Sequence, residues 1–201
     1  PDRANQAVEE FLPLDGAFAD NVILQIKNGP MDFQIREPVS PLFGGLKKTN
    51  MMLEVQIAQE YTGQQIDVCF LPPLFREVLD FHTAGPADAA GEGLRDTVAD
   101  IVAGRADGHR VVPGMCGMAA VANTGDDANW TGGDLAQANL YGFGRLSFDT
   151  SLTPEEGARE WAGLTFDDAE AARTAVEILL KSRAVYEKYT CPLGIGWMVT
   201  P

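Results

Sequence analysis

"NVILQIKNGPMDFQIREPVSP", residues 21–41, decides how the chain folds. Its opening, NVILQIK, is apolar and β-branched up to Lys27, the composition of a short buried strand. Residues 28–41 then crowd Asn, Gly, Asp, Arg and Glu around Pro30, Pro38 and Pro41. Three prolines stiffen the segment, so the strand runs into a rigid charged loop, the kind of place where a scaffold holds chemistry.

Outward from this stretch, three more segments read as buried strands: MLEVQIA (52–58), DVCFLP (67–72) and MAAVANTG (118–125). Helical patterns lie around them, in ANQAVEEFL (4–12), PLFREVLDF (73–81) and GLRDTVADIVAG (93–104), the last with Leu94, Val98, Ile101 and Val102 at helical spacing. The final third is helical throughout. Thr153, Pro154 and Glu156 supply the cap, first-turn proline and capping-box acid of one helix, and residues 169–188 repeat apolar positions through Ala172, Val176, Leu179, Leu180 and Val185. Short strands alternating with helices predict an α/β fold with a parallel sheet, open or closed as a barrel. Four strands are half of an eight-stranded barrel, and half a barrel leaves two unpaired edges. The chain therefore reads as a piece of a longer protein, an expectation that its first residue, Pro1, also suggests.

Composition narrows the function. With 201 residues and 45% hydrophobic content the chain can bury a sizeable core. Twenty-nine acidic against fifteen basic residues, a formal charge of -14, disfavour nucleic acid and anionic membranes as partners. No apolar run approaches the roughly twenty residues of a membrane helix. Cys69, Cys116 and Cys191 are widely spaced and read as free thiols, and His82 and His109 do not complete a metal-ligand pattern, so neither a metal nor a cofactor is expected. Free, odd-numbered cysteines leave the compartment open while leaning slightly to the cytoplasm over secretion.

Two carboxylates come after the first two strands: Asp32, five residues beyond Lys27, and Glu60, just after MLEVQIA. Above the C-terminal ends of parallel strands both overhang one pocket, where one carboxylate can activate water while another acid protonates a leaving oxygen. The plainer reading is a pair of loop acids that cap a helix or bind an arginine. Lys27 and Arg36 are candidates to meet an anionic substrate, or to pair with Asp32 or Glu37; Lys47 and Lys48 add charge around the same turn but read best as exposed loop. Trp130 can stack on a sugar face or pack in a core. The glycines of LFGGLKK and YGFGRL lack phosphate-loop spacing, and Asn129-Trp130-Thr131 is a glycosylation pattern that needs a secretory context.

The stretches VILQIKNGPMDFQIREPVSPLFG, MLEVQIAQEYTGQQ, ANWTGGDLAQANLYGFGRLSFD and YTCPLGIGWMV, in this order, resemble the α-glucuronidases of glycoside hydrolase family 67. The resemblance implies the second half of a (β/α)8 TIM barrel over residues 1–125, and over 126–201 the last barrel elements and the start of a helical C-terminal domain. It implies inverting hydrolysis that releases 4-O-methyl-D-glucuronic acid from xylo-oligosaccharides, with a homodimeric parent. Asp32 and Glu60 match the family's water-activating carboxylates, and Lys27 a lysine that binds the uronate carboxylate. Arg36 lies in the matching motif and Trp130 after the last strand, both as substrate-side candidates. The family's proton donor is a glutamate on an earlier strand, so the isolated chain is expected to be inactive. Two rivals stand beside this reading: a barrel lyase using Lys27 as Schiff-base nucleophile, and a protein that only binds acidic sugars.

Overall fold

The computed structural model describes residues 3–58, 67–83, 95–126, 128–129 and 131–190. Helix α1 (Arg3–Phe11) precedes strand β1 (Ile23–Lys27). The short α2 (Leu42–Gly45) leads to β2 (Asn50–Ala58), followed by α3 (Pro72–Leu79), α4 (Val98–Val102) and β3 (Gly117–Ala122). Three longer helices close the described chain: α5 (Gln137–Phe148), α6 (Pro154–Thr165) and α7 (Ala169–Thr190). The strands form one sheet in the order β1-β2-β3, and β1 and β2 run parallel, with Ile23 opposite Asn50 and Lys27 opposite Glu54. This is a mixed α/β protein with a parallel strand pair, as the alternation of strands and helices predicts.

The chain divides into two compact units, one of residues 1–33, 37–55 and 77–119, the other of residues 34–36, 56–76 and 120–201. In the first, Met51, Leu53 and Val55 of β2 are fully buried, with Phe43, Leu46, Leu79, Val98 and Ile101 among the unit's other fully buried side chains. Asn50 sets the start of the strand pair: its amide donates to the carbonyls of Asp20 and Val22 at 2.9 and 3.0 Å and accepts the Val112 N–H at 2.9 Å. A buried polar side chain with all three bonds made fixes register at little cost.

In the second unit α6 packs against both α5 and α7. Its core joins Phe70, Ala138, Ala158, Trp161, Ala162 and Leu179, and Trp161 meets Phe166 edge-on at 5.8 Å. Thr153 and Glu156 form the capping box that the sequence predicts for α6, each side chain satisfying a backbone N–H of the other.

Two expectations change. DVCFLP is not a strand: residues 67–71 form irregular backbone, and Pro72 opens α3. The buried backbone there is satisfied by helix side chains instead of a neighbouring strand. The Leu71 N–H donates to Asn139 Oδ1 at 2.7 Å, Asn139 Nδ2 donates to the Cys69 carbonyl at 2.9 Å, and the Phe70 N–H donates to Ser182 Oγ at 2.9 Å. The helix expected over 93–104 is shorter. Thr97 and Asp100 form a capping box that starts α4 at Val98, and Gly104, at φ +66°, comes just past its end; Leu94 lies outside the described residues.

Candidate functional site

Lys27 is the last residue of β1, and the loop after it is closed at its neck. The Asn28 N–H continues the ladder to the Glu54 carbonyl at 2.9 Å, while the Asn28 carbonyl accepts the Ser40 N–H at 2.9 Å. Both neck residues are buried. Between them Glu37 braces the turn: its carboxylate accepts the Met31 N–H at 2.5 Å and lies 3.5 Å from Asn28 Nδ2. Gly29 makes this possible, because a Cβ there would sit 2.3 Å from Glu37 Cδ.

The brace leaves Asp32 and Phe33 in the left-handed region, at φ 72° and 63°. Aspartate tolerates this conformation through local hydrogen bonding, whereas for phenylalanine it costs roughly 1–2 kcal/mol. Burial offsets the cost, since the Phe33 side chain is only 5% exposed. The double left-handed turn coincides with an ion pair between the Asp32 carboxylate and Lys27 Nζ, which also lies 4.8 Å from the centre of the Phe33 ring. Each side chain of the pair keeps nearly half its surface exposed, at 45% and 48%. The result is an accessible carboxylate and ammonium on a strained, braced loop at the C-terminal end of a parallel strand. Strain of this kind gathers at functional sites.

Arg36 pairs with neither Asp32 nor Glu37, as the sequence suggests, but with Glu187 of α7. Its reach across 151 residues hides this partner from any local reading. Lys47 and Lys48 do not share the turn of Lys27. They precede Asn50, which pairs with Ile23 at the other end of β1, so in a parallel pair they lie at the opposite end of the strands. There their backbone N–H groups both donate to the Asp15 carboxylate at 2.9 Å, joined by the Thr49 hydroxyl at 2.9 Å. Burial alone would raise the Asp15 pKa, but these three donors and the Lys48 charge outweigh it and hold the carboxyl below its usual range. Glu60 and Trp130 lie outside the described residues, as do Tyr61 and Cys191.

Other candidates have structural occupations. Gly142 of YGFGRL is a packing glycine, for a Cβ would stand 2.4 Å from Pro72 Cγ. Tyr141 donates to Glu160 at 3.1 Å, and Arg145 grips the same carboxylate through two nitrogens. Asn129 donates to Asp134 at 2.8 Å and accepts the Thr131 hydroxyl at 2.9 Å, so both ends of its glycosylation pattern are engaged in side-chain hydrogen bonds. Among the described residues no cluster of three or more His, Cys, Asp or Glu side chains is placed to hold a metal, and no helix is long and apolar enough to cross a membrane.

Among known proteins, the glycosyl hydrolase family 67 middle domain matches residues 1–130, and the glycosyl hydrolase family 67 C-terminus matches residues 131–201. Alpha-glucuronidase A of Emericella nidulans is 45% identical over 195 residues, which cover 96% of this chain and 22% of that protein. The alpha-glucuronidase of Hypocrea jecorina is 43% identical and the probable alpha-glucuronidase A of Aspergillus fumigatus 44% identical, with the same coverage of 96% and 22%. The chain thus spans about a fifth of the length of the curated relatives it matches.

Proposed function

Because the chain belongs to glycosyl hydrolase family 67, we propose that it carries part of the catalytic centre of an α-glucuronidase that removes 4-O-methyl-D-glucuronic acid from xylo-oligosaccharides with inversion. In this reading residues 1–125 form the second half of a (β/α)8 barrel and residues 126–201 its last elements and the start of a helical domain, in a homodimeric parent. The observation that carries the proposal is the Lys27–Asp32 pair on its braced loop at the end of β1.

The pair has a direct chemical use. A uronate carries its own carboxylate, and Lys27 is an exposed ammonium already facing an anion. When the sugar carboxylate takes Lys27, Asp32 loses that partner and becomes free to accept a proton from water. Glu60, after β2, shares the water in this mechanism. Inversion needs room for that water between base and acid, with carboxyl groups roughly 6.5–9.5 Å apart. The acid that protonates the xylose oxygen is assigned to the part of the enzyme this chain does not span, so the chain alone does not hydrolyse. Lys27 suits anion binding better than Schiff-base chemistry, because a carboxylate and a π face both attract an ammonium.

The test is made in the full-length enzyme with 4-O-methylglucuronosyl xylo-oligosaccharides. Asp32→Ala and Glu60→Ala should keep the native circular dichroism and each lose at least ~10²-fold in hydrolysis, the scale of acid–base catalysis. Lys27→Ala should bind glucuronate more weakly, and the first-formed product should show the inverted anomer. Near-normal rates in both carboxylate variants would overturn the assignment; binding without turnover in the unmodified enzyme would leave a sugar-binding protein.

A further inference from the structure

Asp32 and Phe33, two successive non-glycine residues at positive φ, keep that conformation only while their surroundings enforce it. On one side of Asp32 the Phe33 side chain is buried. On the other side stands Met31, whose N–H is held at 2.5 Å by the half-buried Glu37 carboxylate. Glu37 and residues 27–33 belong to the same compact unit, so the contact is internal to it. Gly29 is what lets this carboxylate in. A Cβ there would meet Glu37 Cδ, Cγ and Oε2 at 2.3, 2.5 and 2.6 Å. Gly29 is not among the glycines at positive φ, so its backbone would accept an alanine and the obstacle is the Glu37 side chain. That obstacle is the far end of a flexible side chain. It can swing away and leave the strand pair intact, at the cost of its bond to Met31.

We propose that Glu37 is a positioning residue of the reaction: by holding the Met31 N–H it fixes the left-handed turn and so aims the Asp32 carboxylate at its water. The inference rests on the reading of Asp32 as a water-activating carboxylate. Glu37 itself moves no proton. Its carboxylate is engaged by the Met31 N–H, and the part it plays is that of an acceptor, which an amide oxygen can also fill. Lys27 stands on β1, paired in register with Glu54 and ahead of the turn, so uronate binding does not depend on the brace. Loss of the brace therefore reaches kcat and spares KM.

The experiment uses the full-length enzyme with Glu37→Ala, Glu37→Gln, Gly29→Ala, the double variant of Gly29→Ala with Glu37→Ala, and Asp32→Asn. A carboxylate displaced by about 1 Å can lose up to two orders of magnitude in rate, and Glu37→Ala and Gly29→Ala should each lower kcat about tenfold, with KM within about twofold. Glu37→Gln keeps an oxygen for the Met31 N–H and should stay within about threefold of the unmodified kcat, which a proton-transferring group at position 37 would not allow. In the double variant the added Cβ no longer meets a carboxylate. Its loss should equal that of Glu37→Ala alone, whereas two independent defects would multiply to about a hundredfold. Gly29→Ala and Glu37→Gln decide the question even if Glu37→Ala does not fold. If Asp32→Asn is inactive while Glu37→Ala and Gly29→Ala both keep kcat within about twofold, the positioning role is refuted and the assignment of Asp32 stands. Multiplying losses in the double variant, or Glu37→Gln as slow as Gly29→Ala at unchanged thermal midpoint, refute it as well. Normal hydrolysis by Asp32→Asn would overturn the assignment of Asp32, and the role of Glu37 with it.

Discussion

Asn139 is the most informative side chain to remove for stability, because it replaces a strand. It lies on α5 at 2% exposure, and its amide holds both the Leu71 N–H and the Cys69 carbonyl, whose residues are themselves 1% and 3% exposed. In Asn139→Ala both backbone groups lose this partner. Each orphaned buried group costs roughly 1–3 kcal/mol, for a bare loss of about 2–6 kcal/mol. A cavity of about 150 Å³ borders the site, lined by Asn139 with Asp67, Cys69, Asp134 and Leu179, and is large enough for water to replace the amide. The expected loss is therefore at the lower end, about 2–3 kcal/mol. Asn139→Asp sharpens the test. Its carboxylate still accepts from Leu71 but turns an oxygen, and a buried charge, toward the Cys69 carbonyl. At neutral pH this should cost more than alanine does. Burial raises the folded-state pKa of such a carboxyl above its unfolded value near ~3.9, so the variant keeps its stability below that value and loses it as pH rises through the folded pKa. The protonated acid can donate to Cys69 as the amide does. Urea unfolding followed by the fluorescence of buried Trp161, with each variant compared to the unmodified protein at pH 7 and at pH 4, measures both effects. A loss below about 0.5 kcal/mol in Asn139→Ala, or the same deficit for Asn139→Asp at both pH values, would refute the reasoning.

Titrating groups give two further expected outcomes. Burial first, and then the Lys47 ammonium with its Nζ 3.3 Å from the ring, lower the His109 pKa from its ordinary 6.5. The unfolded chain then binds the proton more readily, so stability present above pH 6.5 should be lost as pH falls through the folded pKa, and His109→Gln should flatten that part of the unfolding-against-pH curve. Burial pushes the Cys69 thiol up to about 12, while Cys116, whose thiol burial also raises, is partly exposed. Under native conditions at pH 8 a disulfide reagent should label Cys116 well before Cys69; fast labelling of Cys69 would contradict its burial.

The helical third was legible because its signals are local. Thr153, Pro154 and Glu156 lie within four positions, and the capping box they form depends on nothing distant. DVCFLP misleads for the opposite reason. Its β-branched, apolar composition reports that the segment is buried, and it is: Cys69, Phe70 and Leu71 are all nearly inaccessible. Burial obliges the backbone to find partners but does not say which. Here they are Asn139 and Ser182, the latter 112 residues from the Phe70 it satisfies, and no periodicity carries that information. The α4 boundary shows the reverse case. Thr97 and Asp100 have the spacing of a capping box, a signal present in the sequence and overridden by the longer apolar pattern that includes Leu94.

The same division between local and distant runs through the candidate site. The five-residue spacing from Lys27 to Asp32, and three prolines around it, mark a stiff charged turn. Which charge meets which is not set by composition, since Asp32 and Glu37 compete for Lys27 and Arg36. Backbone geometry decides it. Gly29 admits the Glu37 side chain against the turn, where the Met31 N–H occupies its carboxylate. Asp32, thrown to positive φ, then pairs with Lys27. Arg36, with neither local carboxylate as its partner, is paired with Glu187. A glycine with no chemistry of its own thus sorts the charges of the loop. An alanine at position 29 would meet Glu37 Cδ at 2.3 Å and force that carboxylate out, and the sorting would be lost with all four charged residues still present.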